Sequence, residues 1–574
     1  MSLHVWAPNA RQVEAEIAGT RSALQPAKSG WWQSETTVNH GTDYAFLLDG
    51  EGPFPDPRSP WQPEGVHGPS RHVDHERFVW NDCGWQAPPL ASAVIEEIHI
   101  GTFTPAGTFD GAIARLDHLV NLGITHLELM PVAEFPGDRG WGYDGVDLYA
   151  PHHAYGGPEG LKRLVNACHR KGLAVLLDVV YNHLGPDGNY LARFGPYFTG
   201  AYSTPWGEAV NLDQANSDQV RDFLIGNALM WLRDYHIDGL RLDAVHAIVD
   251  TSAMPFLEQL RRAVQALEAQ LGRHLVLIAE NDLNDPRLIR PPEAGGFGLN
   301  AMWNEDFHHA LHALLTGERR GYYQDFGALA DVSTALTSAL VYDGRYSQYR
   351  QQRHGRPATG LPGRRFVGFL QNHDQIGNRP QGERSAQLLS EGLLHIGAAL
   401  VMTAPFVPLL FQGEEWAAST PFQYFTDHQE PLLAEKVRKG RRNDFGAAST
   451  AAESVPDPQD PDTFKRCRLN WQEQEHQPHT RLLAWHKALA RLRRTIPALT
   501  DDCLDNIRVD FDETARWLLL QRSTVTIVCN LAGTEQRIHH RHLQLQQLVL
   551  ASQTGVALEN ENILLPAESV AILM

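Results

Sequence analysis

The chain has 574 residues, enough for about two to four domains and for a sizeable core without disulfide or metal staples. Its 49 basic and 68 acidic residues give a net charge of −19 with His neutral, which weighs against nucleic acid and anionic membrane surfaces, because a polyanion needs a basic footprint. Five scattered cysteines without a C-x-x-C pair indicate neither a disulfide framework nor a cysteine zinc site.

In chain order, Met1–Trp6 lacks a basic segment followed by an apolar core, so no secretory leader is expected there. No long apolar run predicts a membrane span, and a cytoplasmic location is expected. Residues 3–7, 13–18 and 44–48 are short β runs. Pro53, Pro55, Pro57, Pro60, Pro63 and Pro69 then forbid a helix. Residues 1–90 are therefore expected to form an immunoglobulin-like β-sandwich, with 80–89 as the boundary.

From about residue 93 the rhythm changes. Strand-length apolar runs fall at 94–100, 126–132, 174–181, 239–245, 275–280, 366–371 and 408–412, and Ala301-Met302-Trp303 completes eight. Helical stripes lie between them. Leu161, Leu164, Val165 and Cys168 precede Gly172 as a stop, and Val220, Phe223, Leu224 and Trp231 follow Asn216-Ser217-Asp218 as a capping region. Ile113, Leu116 and Leu119 lead to Gly123 in the same way. This alternation predicts an α/β fold, a (β/α)8 barrel over 91–500. Its 284–365 stretch is hard to place, and 417–480 reads as irregular. A helix is expected over 482–499, and a small C-terminal β-sandwich domain over 501–574.

Barrel strands deliver reactive side chains at their C-terminal ends. Four runs end in polar residues: Asp178…Asn182-His183, Arg241-Leu242-Asp243…His246, Glu280-Asn281-Asp282 and Asn372-His373-Asp374. Glycoside hydrolysis needs one ionised carboxylate and one carboxylic acid that protonates the leaving oxygen. Asp243 and Glu280 end adjacent strands. Arg241 shares a strand face with Asp243 and would keep it ionised. Glu280 would start protonated, its pKa raised by a less polar wall and nearby acids. Asp374 would orient sugar hydroxyls, and His183 and His373 are suited to bonding them. A lone strand-end Asp caps a loop more often than it catalyses. Asp178, the deepest, reads as structural support for Arg241 or His183. His308-His309 near Asp306 reads as a solvated helix face rather than a metal site. No phosphate loop and no nucleophile elbow occurs.

At these residues the sequence resembles the α-amylase superfamily of retaining glycosidases. Segments 178–183, 239–246, 278–282 and 369–374 match its motifs in order. The resemblance implies that Asp243 is the nucleophile, Glu280 the general acid/base and Asp374 the transition-state stabiliser. It places Arg241, His183 and His373 at the −1 sugar. It makes Tyr143, followed by Asp147, a stacking and substrate-binding segment, and sets His246 toward the leaving group. The chain is most similar to the trehalose-releasing branch, through 5–10, 63–70, 141–146, 181–190, 279–285, 372–379 and 411–416. Asn281 departs from an expected small Ser beside the acid.

That branch implies cleavage of the α-1,4 bond next to the terminal trehalose of maltooligosyl trehalose, by double displacement between carboxyls about 5–5.5 Å apart. It implies a maltooligosyl trehalose synthase as pathway partner, with no nucleic acid or membrane partner. Branching or debranching of glycogen is the neighbouring alternative, and the run 374–378 favours trehalose release. A barrel that only binds glucan would be expected to have lost one of the three acids. No cofactor and no required metal is expected, because the loop after strand three lacks a dense carboxylate cluster. Tyr190, Phe194, Tyr197, Phe198, Tyr202 and Trp206 in 184–215 would form either a sugar-stacking wall or an anchor for the loop. Residues 412–428 are candidates for selecting trehalose.

Overall fold

The computed structural model describes residues 2–445, 455–544 and 546–574. Eight parallel strands close a barrel in chain order. They are β1 Ile95–Ile98, β2 His126–Leu129, β3 Ala174–Val179, β4 Gly239–Leu242, β5 Val276–Ala279, β6 Ala301–Trp303, β7 Phe366–Gly368 and β8 Val407–Phe411. Every residue of these strands is buried, as a parallel sheet covered on both faces requires, so most of them read as largely apolar runs, with Glu96, Glu97, His126, Glu128, Asp178 and Arg241 as buried polar exceptions. The register sets Asp178 of β3 beside Arg241 of β4, and Arg241 beside Ile278 of β5.

Helices cover the strands. In Gly157–Arg170, Leu161, Leu164, Val165 and Cys168 form the buried stripe. Gly123 closes Leu116–Leu122 at a φ of 101°, a conformation open to glycine. The obscure stretch after β6 holds helices Glu305–Thr316 and Leu329–Ser338, then the hairpin Asp343–Ser347 with Gln352–Gly355.

Sheets flank the barrel at both ends of the chain. The N-terminal part pairs Ser2–Trp6 with Trp31–Thr37, and Val13–Ile17 with Asp43–Leu48. The C-terminal part stacks a five-stranded sheet, built on Trp517–Arg522 and Val525–Asn530, against a three-stranded one through Leu519, Val528 and Ile563. Arg522 is buried and donates to the carbonyls of Thr403, Ala404 and Leu499. This ties the sheet to the barrel's helical shell.

Several expectations need correction. Strands three, four and seven are shorter than their apolar runs, because their last residues leave the ladder and rise into the mouth. Asn216 occupies the N-cap of Ser217–Asp234 in a left-handed conformation, φ 65°, and its side chain makes no capping bond. The stretch 417–480 contains a 14-residue helix, Pro431–Asp444, whose first turn is capped by the Glu430 carboxylate through the N–H groups of Leu432 and Leu433. None of its residues is fully buried, so it lacks the apolar stripe that announces a helix. Pro461 opens a second helix of that stretch, Pro461–Arg466. Residues 446–454 of that stretch lie outside the described residues. His308 and His309 are buried, not solvated. His308 is held by the Leu370 carbonyl and Tyr323 hydroxyl, while Asp306 accepts backbone N–H groups of Val341 and Tyr342.

The 184–215 aromatics divide between the two readings. Tyr197 packs on Trp6, Tyr190 on Phe54 and Phe194 on Phe46, so these rings anchor the loop to the N-terminal sheets. Trp206, in the hairpin Phe198–Thr204 with Gly207–Val210, stacks on His183 at 4.3 Å between centroids and keeps 48% of its surface exposed.

Candidate active site

Strand alternation decides the centre of the site. On β4, Arg241 and the residue two further on, Asp243, point into the mouth. The buried guanidinium of Arg241 reaches three acids. Nη1 donates to Asp178 Oδ2 at 2.7 Å and to Asp243 Oδ1 at 2.9 Å, and Nη2 lies 2.9 Å from Glu280 Oε2. Its far face covers the Trp303 ring of β6 at 4.1 Å. Asp243 and Glu280 are thus separated by no more than one guanidinium and its two contacts.

Their environments differ. Burial alone would raise the Asp243 carboxyl. Arg241, His183 and the Asn182 amide outweigh it and hold its pKa below the ordinary value. Both its oxygens have donors, Arg241 Nη1 on Oδ1 and Asn182 Nδ2 at 2.8 Å on Oδ2. Burial drives Glu280 the other way, to about 8, with Asp243 and Asp374 adding to the rise against Arg241. Its Oε2 already accepts the Ala244 N–H at 2.7 Å and faces Arg241, which leaves Oε1 to carry the proton. Ala244 adopts a φ of 38°, a left-handed strain at the residue that joins the two acids.

Asp374 lies in the first turn of the short helix His373–Gly377, which Asn372 caps, and keeps a side chain 38% exposed. His373 is buried beneath it. Burial would lower its pKa, but Glu97 and Asp374 raise it to about 10. Tyr143 stacks on His373 at 5.3 Å, and its hydroxyl donates to Asp178 Oδ2 at 2.7 Å. Gly142 allows this turn, since a Cβ there would stand 2.3 Å from the Pro131 carbonyl oxygen at a φ of 99°. Asp178 itself is pushed up to about 6 by burial against the pull of Arg241, and it supports Arg241 and Tyr143 from below.

These groups line an open cavity of about 530 Å³. Tyr143, His183, Asp243, His246, Glu280, His373 and Asp374 border it, while Arg241 lies buried behind them. His183 and His373 present no free ring nitrogen there. His183 is held by Asn182 Oδ1 and the Tyr143 carbonyl, and His373 by Glu97 and the Tyr143 hydroxyl. Asp147 is not brought to the site. It lies buried in the strand Asp147–Pro151, paired in register with Glu134, and burial with Glu134 and Asp56 raises its carboxyl well above the usual range. Asn281 turns its side chain to the Leu283 N–H. Of 412–428, Tyr424 borders the cavity.

Sequence reasoning missed Glu97, Trp303 and the wall formed by Val437, Gly440, Arg441 and Asp444. Two acids inside the first apolar run, Glu96 and Glu97, were the available signal for one of them. Arg441 is fastened to the Gly377 carbonyl and to Asn378 Oδ1, beside Asp374. Among the described residues, Glu134, His152 and His153 bring potential ligand atoms within 4.8 Å of one another, so a divalent ion could sit there. As it stands, Glu134 Oε1 is 2.6 Å from His153 Nδ1 and Oε2 accepts the His153 N–H, away from the cavity, while both ring nitrogens of the buried His152 lack a hydrogen-bond partner.

The closed barrel with this mouth defines the α-amylase class, and residues 73–197 match the sequence profile described as alpha amylase, catalytic domain. A malto-oligosyltrehalose trehalohydrolase of Mycobacterium tuberculosis is 47% identical over 99% of this chain and 98% of its own. One from Arthrobacter ramosus is 51% identical over 86% and 87%. A solved alpha-amylase-type protein from Salmonella typhimurium has a TM-score of 0.91 at 36% identity, covering 100% of this chain and 97% of its own. The chain belongs to the malto-oligosyltrehalose trehalohydrolase family.

Proposed function

We propose that the protein hydrolyses the α-1,4-glucosidic bond next to the terminal trehalose unit of maltooligosyl trehalose, releasing trehalose and a maltooligosaccharide with retained anomer. The observation that carries the chemistry is the shared contact of Asp243 and Glu280 with Arg241 while their pKa values move apart. The named relatives carry the substrate.

Glu280 Oε1 gives its proton to the glycosidic oxygen, and the bond from that oxygen to the anomeric carbon breaks. An Asp243 oxygen attacks the same carbon and forms a glycosyl ester. Trehalose leaves. The Glu280 carboxylate then takes a proton from water, whose oxygen attacks the anomeric carbon from the opposite side, breaks its bond to the Asp243 oxygen and frees the Asp243 carboxylate. Arg241 keeps Asp243 ionised in the ground state. Asp374, at the rim, accepts sugar hydroxyls whose bonds tighten as the oxocarbenium-like state forms. His246, lowered in pKa by burial and so a neutral ring, borders the leaving side, and Tyr143 supplies a ring face to the reacting sugar.

Three units divide this work: 1–90 and 501–574 as flanking β domains, and 91–500 as the catalytic barrel. Among the described residues no helix is long and apolar enough to cross a membrane. The acidic, reduced-cysteine chain suits the cytoplasm, where a maltooligosyl trehalose synthase would supply the substrate. Incubation of Asp243→Asn and Glu280→Gln variants with maltooligosyl trehalose tests the assignment: trehalose release is lost while the far-ultraviolet circular dichroism is kept. Full activity in either variant would overturn it.

A further inference from the structure

The three acids of the mechanism follow β4, β5 and β7. A fourth acid, Glu305, stands two residues past β6 and has no part in the chemistry above. Gln375, inside the run 374–378 that favours the trehalose reading, is likewise without a role. The two side chains meet. Asn304, fully buried, caps the helix Glu305–Thr316 through the Phe307 N–H and donates to the Ala339 carbonyl, which fixes Glu305 at the first helical position. Gln375 Nε2 donates to Glu305 Oε2 at 3.1 Å. Gln375 Oε1 accepts the Asn372 N–H at 2.9 Å, and Asn372 Oδ1 accepts the Asp374 N–H at 2.8 Å. A backbone N–H can only donate, so the amide of Gln375 is held with its oxygen toward Asn372 and its nitrogen toward Glu305.

Three hydrogen bonds thus run from the end of β6 to the backbone of Asp374, which follows the neighbouring strand β7. The carboxylate of Asp374 has only a loose hold of its own. Asn378 Nδ2 reaches its Oδ1 at 3.4 Å, His373 Nε2 stands 3.5 Å from its Oδ2, and the side chain is 38% exposed. Contacts of that length orient a group weakly. The aim of Asp374 is therefore set by its backbone, and the last link of that hold is Glu305.

We propose that Glu305 is a positioning residue for the reaction, which aims Asp374 at the reacting sugar through Gln375 and Asn372. What Glu305 supplies is a fixed acceptor rather than a charge. Burial, with the charges of Glu280, Asp374 and Asp282, pushes its carboxyl well above the usual range against the pull of Arg241. An uncharged carboxyl still accepts through its carbonyl oxygen, and it adds no negative charge to a mouth that already holds ionised Asp243 and Asp374. An amide at this position can serve the same purpose. The proposal rests on the role given to Asp374 above, and its test separates the two.

The test compares wild type with Glu305→Met, which keeps the side-chain length and removes the acceptor, with Glu305→Gln, which keeps an acceptor, and with Gln375→Leu, checking that melting temperatures agree. In Glu305→Met, kcat for maltooligosyl trehalose falls about ten- to hundred-fold while KM stays within about two-fold, the signature of a misaimed transition-state group. Gln375→Leu costs the same, and the double variant costs no more than either, because all three break one chain of bonds. Glu305→Gln stays within about three-fold of wild type. Hydrogen–deuterium exchange reads the chain without substrate: the amides of Asn372 and Asp374 lose protection in Glu305→Met and Gln375→Leu and keep it in Glu305→Gln. An unchanged kcat in Glu305→Met, additive losses in the double variant, or a loss in Glu305→Gln as large as in Glu305→Met would overturn the proposal. Exchange that follows the substitutions in a protein whose wild type releases no trehalose would instead leave the hold on Asp374 standing and remove the proposed reaction.

Discussion

Glu97 Oε1 lies 2.5 Å from His373 Nδ1, in a buried pair at the base of the cavity. The other ring nitrogen is 2.8 Å from the Tyr143 hydroxyl, whose single proton goes to Asp178. Both nitrogens of His373 therefore donate, and the ring is an imidazolium. This fixed cation steadies the Tyr143 hydroxyl and offsets the charge of Asp374, 3.5 Å from Nε2.

Glu97→Gln removes the partner charge. In wild type, the pKa of about 10 means that the pair's stabilisation is present below the unfolded histidine value of about 6.5 and is lost as pH rises toward 10. The variant is therefore destabilised most at pH 6 and least near pH 10, read as the difference in melting temperature. Its kcat/KM falls about ten- to hundred-fold at neutral pH. Histidine nitrogen shifts by NMR should show a ring that stays charged at pH 8 in wild type and has lost its proton in the variant. A neutral His373 in wild type at that pH would refute the assignment.

As the proposed proton donor, Glu280 should set the alkaline limb of the rate profile. A proton donor must be protonated, so kcat/KM falls as pH rises through about 8. The same raised pKa has a stability cost that grows with pH, because the unfolded carboxyl ionises near its ordinary value. Glu280→Gln should match wild type in melting temperature near pH 4.5 and exceed it at pH 8. With a maltosyl fluoride, whose leaving group needs no proton, the variant still forms the glycosyl ester on Asp243, and added azide releases it as a glycosyl azide. Absence of any azide product would contradict the division of roles.

Trp206 tests the cavity wall. It stacks on His183 with an interplanar angle of 4° while nearly half exposed. Trp206→Ala raises KM about five- to twenty-fold, with kcat and melting temperature little changed, since a half-exposed ring contributes little to the core. An unchanged KM would make the ring a mere cover for His183.

The centre of this site was legible because its spacing follows strand geometry. Arg241 and Asp243 differ by two residues, and Glu280 and Asp374 end runs that had to be buried on both faces. Asp147 misled because it follows Tyr143 closely in sequence, whereas the pairing of 133–134 with 147–151 turns it toward Glu134. Glu97 was hidden by the opposite problem. It sits inside a strand otherwise read as apolar, and its partner His373 is 276 residues away. The helix Pro431–Asp444 could not be read from periodicity, because it lies across the mouth, with Leu432 72% exposed, and its contacts are made by Val437, Gly440 and Arg441.

Metal removal bears on Glu134, His152 and His153. Glu134 is satisfied without an ion, since it accepts from His153 through both oxygens, although the buried His152 ring has no hydrogen-bond partner. Trehalose release should persist after exhaustive EDTA treatment. Loss of activity restored by a divalent ion, and absent in His153→Gln, would instead make this trio a metal centre.

The most direct test is product analysis. The protein is incubated separately with maltooligosyl trehalose, with the plain maltooligosaccharide of the same length and with glycogen, and the products are followed by proton NMR from the first minutes. Trehalose and an initially α-anomeric maltooligosaccharide should come from the first substrate, with far slower reaction of the other two. Glucose or maltose from the plain chain at equal rate, new branch points in glycogen, or an initially β-anomeric product would contradict the account.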